Sequence, residues 1–74
     1  MEKTIGIGTK VIYRGCFGMF EPKEVEVKAI WRSEYKRDKY GDDVDSVPFS
    51  EREYCTFMLS DGHWCYGEQI DSIV

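Results

Sequence analysis

The sequence predicts an all-β fold with five short strands, and two observations carry that prediction. Residues 23–32 (KEVEVKAIWR) alternate between apolar and polar side chains, as a strand with one buried face does. Asp61-Gly62 separates two β-rich runs, which is the strongest short signal for a tight hairpin. Residues 10–14 supply a first strand, and residues 68–74 supply a turn that leads into a very short last strand. Because five short strands avoid open edges by closing on themselves, we expect a small barrel.

The alternation also predicts which side chains form the core. A two-residue turn at Asp61-Gly62 places Leu59 opposite Trp64 on the inward face and leaves Cys65 on the outward face. The residues expected to be buried together are Val25, Val27, Ala29, Trp31, Phe57, Leu59 and Trp64. Ile30 is the one apolar residue of the long strand that breaks the alternation.

Length and charge favour binding over catalysis. Seventy-four residues predict a single domain, residues 1–74, whose core is too thin to spare a large active-site cavity. We therefore expect a protein that is not an enzyme. The net charge of −4 is divided unevenly, because residues 41–74 carry one Arg and eight Asp or Glu. Such an acidic balance does not predict a domain-wide nucleic-acid surface.

The three cysteines, Cys16, Cys55 and Cys65, predict free thiols. Their odd number and the lack of a CxxC pair do not indicate a disulfide framework, and the spacing with His63 does not suit zinc. We therefore expect no metal and no cofactor. No signal sequence follows Met1 and no apolar run could span a membrane, so the expected location is the cytoplasm, without membrane association.

Two segments lack any periodic pattern. Residues 1–8 are expected to be a loose N-terminal segment, and residues 33–52 a long loop between the second and third strands. Long loops in compact domains tend to be functional. This loop and the loop at 15–22 carry aromatic and acidic side chains that we expect to line a ligand-binding groove: Phe17, Phe20, Tyr35, Tyr40, Asp42, Asp43 and Phe49. The alternative is that these aromatic side chains cap the ends of the core.

The expected function is a non-catalytic interaction module that binds another protein or a peptide, particularly one that bears Lys or Arg. The chain itself is expected to be a monomer or a weak homo-oligomer. The alternative function is a nucleic-acid-binding accessory domain that uses a local basic patch. That patch would consist of Arg32, Lys36, Arg37 and Lys39.

The order of the predicted strands resembles that of SH3-like barrels of the Tudor type. The resemblance is carried by KVIYR, KEVEVKAIWR, the hairpin FMLSDGHWCYG and the EQID turn. It implies a five-stranded SH3-like barrel. The stretches VIYRGCFG, KYGDDVDSVP and DGHWCYG are similar to small uncharacterised proteins of bacteriophages and mobile elements. That likeness implies an accessory protein but no known activity.

Overall fold

The computed structural model describes residues 3–15, 19, 21–36, 38 and 40–74. These residues form eight strands and two 3₁₀ helices, so the predicted all-β class is confirmed. The strands are β1 (Thr4–Gly6), β2 (Lys10–Tyr13), β3 (Lys23–Arg32), β4 (Asp42–Val44), β5 (Ser46–Pro48), β6 (Cys55–Leu59), β7 (Trp64–Tyr66) and β8 (Ile70–Ile73). The 3₁₀ helices are Phe49–Tyr54 and Gly67–Gln69.

Strand β3 is the centre of the main sheet, whose strand order is β7-β6-β3-β2-β8. Its first half pairs with β2, its second half with β6, and β4 pairs with its last three residues. Among the described residues the end strands β7 and β8 do not pair with each other, so the strand order is open. Closure into a five-stranded barrel therefore stays a prediction.

A β-bulge divides β3 into two halves. Val27 pairs with Leu59 while Ala29 pairs with the neighbouring Met58, so Lys28 is an extra residue on β3. The side chains that follow the bulge change faces because strand side chains alternate with a period of two. Ile30 is consequently buried. The predicted burial of Ala29 and Trp31 is wrong, since both are partly exposed on the outer face.

The hairpin between β6 and β7 has a different register from the predicted one. The loop comprises residues 60–62, because the N–H of Leu59 donates to the carbonyl of His63 at 2.8 Å. Gly62 adopts a φ of 87°, as the last position of a three-residue hairpin loop requires. The one-residue shift exchanges the faces of β7. Cys65 is buried and Trp64 is 45% exposed, so both predictions for these residues are wrong.

Much of the predicted loop at residues 33–52 is regular structure. It contains β4, β5 and the start of the first 3₁₀ helix, and only residues 33–41 separate β3 from β4. The N-terminal segment is also paired, because β1 and β5 form a two-stranded sheet in which Ile5 lies opposite Val47. Both side chains are fully buried, which explains why such short strands form. Three-residue strands are too short to show a period in the sequence.

The two 3₁₀ helices lie in direct contact. A Cβ built on Gly67 would stand 1.6 Å from the carbonyl oxygen of Arg52, so the chains approach more closely there than any other residue allows. The Arg52 side chain reinforces this contact, since its Nε donates to the carbonyl of Ile70 at 2.9 Å. Its guanidinium lies 4.0 Å from the centre of the Phe49 ring. Within the described part of the chain, no helix is long and apolar enough to cross a membrane.

Candidate functional site

The structure brings together only part of the predicted groove. Tyr35, Tyr40 and Asp42 line a shallow polar cavity of about 450 Å³ together with Arg32. Both tyrosines are strongly exposed. The loop before β3 does not contribute to the described lining of this cavity. Its Gly15 and Glu21 instead line a separate cavity beside His63.

The other predicted groove residues lie elsewhere or outside the described residues. Phe49 packs against the core cluster, in agreement with the alternative that loop aromatics extend the core. Asp43 lies on the outer sheet face next to Trp31, its partner across β3 and β4. Phe17 and Phe20 lie outside the residues that the structure describes.

The predicted basic patch holds the first 3₁₀ helix against the sheet. Arg32 forms an ion pair with Glu51, and Lys36 forms one with Glu53 at 2.9 Å. Both cations also lie about 6 Å from the centre of the Tyr54 ring. The hydrogen bond between Lys36 and Glu53 raises the pKa of the lysine and lowers that of the glutamate.

These contacts occupy the two described members of the patch, and Arg37 and Lys39 lie outside the described residues. A phosphate at the patch would compete with carboxylates that are already in place. The described geometry therefore gives the patch a structural role.

A cleft between aromatic side chains lies on the outer face of strands β3, β6 and β7. Trp31 and Trp64 form its walls, while Thr56 and Met58 form its floor, and its volume is about 220 Å³. We call these four residues the indole cleft. The strand pairing explains the arrangement, because Trp31 lies opposite Thr56 and Met58 lies opposite Trp64.

Neighbouring groups fix the positions of the cleft residues. Trp64 contacts Tyr66 edge to face, with 5.1 Å between the ring centres. The hydroxyl of Thr56 donates to the carbonyl of Asp38 at 3.3 Å, so the loop after β3 partly covers one end of the floor. The predicted core placed the two tryptophans inside. For Trp31, the signal that could have shown the outward position is Ile30, whose apolar side chain breaks the alternation after the bulge.

A hydrogen-bonded cluster around Asp61 lies on the far side of Trp64. The hydroxyl of Tyr13 donates to the Asp61 carboxylate at 2.7 Å, and Lys23 contacts the same carboxylate at 2.9 Å. The backbone N–H of His63 donates to it at 3.0 Å. Tyr13, Lys23, His63 and Trp64 all contribute to the lining of a cavity of about 520 Å³. This cavity and the indole cleft thus share Trp64.

The cluster shifts the titration of its members. Burial and the hydrogen bond to Asp61 raise the pKa of Tyr13 to about 12. Burial alone would raise the pKa of Asp61, but the hydrogen bonds from Lys23 and Tyr13 outweigh it and hold that pKa well below its usual range. Asp61 therefore stays ionised at neutral pH and anchors the β6–β7 loop to the ends of β2 and β3.

The buried thiols predict slow labelling. In a Cys16→Ser variant, Cys55 and Cys65 should react with a thiol reagent only as fast as the protein opens, because both side chains are buried.

Burial raises the pKa of Cys65 to about 12 and also raises that of Cys55. Above the ordinary thiol pKa of 9.0 the thiols ionise in the unfolded chain but not in the folded one. The free energy of unfolding is therefore unaffected by these thiols below pH 9.0 and declines as the pH rises above it.

The control is the same variant in urea, which should label both thiols at once. Labelling in native buffer at the urea rate would show that these thiols are exposed in the folded protein. In the described part of the chain, no three side chains from His, Cys, Asp and Glu are grouped to hold a metal ion.

No model of a known protein family matches the chain, and no curated protein or solved structure shows significant similarity to it. The fold and the site thus define the class only as a small all-β protein with an exposed aromatic cleft.

Proposed function

We propose that this protein is a non-catalytic interaction module that binds a peptide segment of another protein in the indole cleft. The observation that supports this function is the outward placement of Trp31, Met58 and Trp64 on one sheet face. Tryptophan and methionine are enriched in the cores of protein interfaces, and tryptophan is one of the residues enriched among those that dominate binding energy. In a domain with a thin core, exposure of large apolar side chains costs stability that their burial would have provided.

The arrangement of the strands supports the same proposal. β2, β3, β6, β7 and β8 follow one another in the order predicted for an SH3-like barrel, and the second 3₁₀ helix precedes β8 as in that prediction. We propose an SH3-like fold on this basis. A cytoplasmic location is proposed because Cys55 and Cys65 are free thiols. An origin in a bacteriophage or mobile element rests on the sequence resemblance alone.

Substitution of the exposed tryptophan tests the site. Short random peptides selected on the immobilised protein would supply a labelled ligand. Trp64→Ala should weaken the binding of the selected peptide by about tenfold or more, because a buried aromatic contact at an interface is lost. The measurement is fluorescence anisotropy of the labelled peptide, with circular dichroism to check the fold.

Tyr40→Ala is the matched control, since Tyr40 is an exposed aromatic of the other cavity. It should change the affinity by less than about twofold. If Tyr40→Ala weakens binding and Trp64→Ala does not, the binding site lies at the loop of residues 33–41. If the selection yields no peptide that binds, the proposed function is wrong.

A further inference from the structure

The outer sheet face around the indole cleft is uncharged. After the bulge, the outward positions of β3 lie in rows with those of β6 and β7. None of these six positions carries a charge, although 32% of the residues in the chain are charged. Before the bulge, by contrast, β3 turns Glu24 and Glu26 outward. The six uncharged positions are Ala29, Trp31, Thr56, Met58, Trp64 and Tyr66. An ionic group of a partner would gain no opposite charge from them, which favours an uncharged occupant.

The cleft has room for one side chain. Its volume is about 220 Å³. An apolar cavity of about 150 Å³ is enough to hold one benzene molecule. Trp31 and Trp64 stand at opposite corners of the uncharged face, because they belong to neighbouring rows and have β6 between them. A single ring can therefore lie between the two indoles, above Thr56 and Met58.

The uncharged face is too small to be the interface with a second copy of the chain. Two positions on each of three strands cover roughly 200 Å². A specific, stable interface buries about 800 Å² on each partner, which is about four times that area. A short segment that inserts one side chain matches the size of the face.

We propose that the indole cleft binds a phenylalanine side chain from a segment of the partner protein. The inference rests on the proposed function. Two indoles and a thioether line the cleft, and both kinds of group make contacts with an aromatic ring that an aliphatic side chain of equal size does not make. The hydroxyl proton of Thr56 is already donated to the carbonyl of Asp38 at 3.3 Å, so it is not available to a ligand. A ring without a polar group therefore suits the cleft best.

The chain offers its own reporter for the test, because its two tryptophans are the two walls of the cleft. The indole N–H signals of ¹⁵N-labelled protein would be followed by NMR during titration with an acetylated, amidated peptide of glycine and serine with one central phenylalanine. Both indole signals should shift and should saturate together. A peptide with cyclohexylalanine keeps the size of the ring without its π electrons, and it should bind about two- to tenfold more weakly. Peptides with lysine or glutamate at that position should cause no saturable shift.

Two methionines provide a matched pair of variants. Met58→Leu keeps an apolar floor but removes the sulfur, so it should weaken the binding of the phenylalanine peptide by about twofold or more. Met19→Leu makes the same change at a residue that is 84% exposed and does not line the cleft. It should leave the affinity unchanged. If the two variants have equal effects, the ring does not lie over Met58 and the inference is wrong.

The remaining outcomes separate this inference from the proposed function. If the cyclohexylalanine peptide binds as well as the phenylalanine peptide, the cleft does not select an aromatic ring and the inference is wrong. If the indole signals shift with the concentration of the protein alone, the occupant is a second copy, which also overturns it. If peptides selected at random shift the indole signals but the phenylalanine peptide does not, the interaction module stands and the phenylalanine assignment fails. If no peptide of either kind shifts the indole signals, both proposals fail.

Discussion

Replacement of Gly67 by alanine is expected to leave the chain largely unfolded. The new Cβ would stand 1.6 Å from the carbonyl oxygen of Arg52 and 2.3 Å from its carbonyl carbon, and neither atom belongs to a flexible side chain. The two 3₁₀ helices would have to separate, which would break the hydrogen bond from the Arg52 side chain to the carbonyl of Ile70. We expect a loss of more than about 3 kcal/mol in the free energy of unfolding.

A loss of that size matters because a domain of this length has about 3–5 kcal/mol of stability from its core. Urea unfolding followed by circular dichroism measures it. Gly8→Ala is the matched control: Gly8 has a φ of 92° and an added Cβ would meet no atom within 4 Å. Its cost should be only the backbone strain of about 1–2 kcal/mol. Equal stability of the two variants would contradict the close approach of the helices.

Phe57→Ala is expected to have the next largest effect. Phe57 is fully buried on β6 between Ile30 and Cys65, its partners on the two adjacent strands. Truncation leaves a cavity that three strands line, and such cavities cost about 3–5 kcal/mol. Urea unfolding by circular dichroism is again the measurement. If the variant does not fold, Phe57→Leu gives a smaller loss that can be measured.

Trp64→Ala is the control for this prediction, because it truncates a larger aromatic on the paired strand. Trp64 faces outward and is 45% exposed, so its truncation leaves no buried cavity and the cost should stay below about 1.5 kcal/mol. If Trp64→Ala lowers the free energy of unfolding more than Phe57→Ala does, the hairpin has the other register, in which Trp64 lies in the core and Cys65 lies outside.

The all-β class and the main strands were predictable because their signals are local. The alternation over residues 23–32 and the Asp61-Gly62 turn each specify a strand or hairpin without reference to the rest of the chain. The short strands β1, β4 and β5 form only because β1 and β5 bury Ile5 against Val47 and because β4 adds to the edge of β3. A three-residue strand stabilised by a distant partner has no pattern of its own.

The site was predicted less well because it depends on two single-residue shifts. The bulge at Lys28 moves Trp31 outward, and the third loop residue of the hairpin moves Trp64 outward. A shift of one residue reverses every side chain that follows it, so an alternation can be read correctly and still be assigned to the wrong face. Of the predicted groove, the structure retains Tyr35, Tyr40 and Asp42 around one cavity.

The extra residue at Lys28 also divides β3 into two halves that differ in which positions face the core. Before it, the odd-numbered positions Val25 and Val27 face the core, whereas after it the even-numbered Ile30 does. A substitution at Trp31 therefore leaves the inward-facing side chains of the earlier half unchanged. Deletion of Lys28 would remove the bulge and leave Trp31 outward, because Ala29 would then follow Val27 in a regular alternation, whereas a regular strand that kept Lys28 would turn the indole inward. The position of the indole cleft thus depends on the bulge as much as on the aromatic residues themselves.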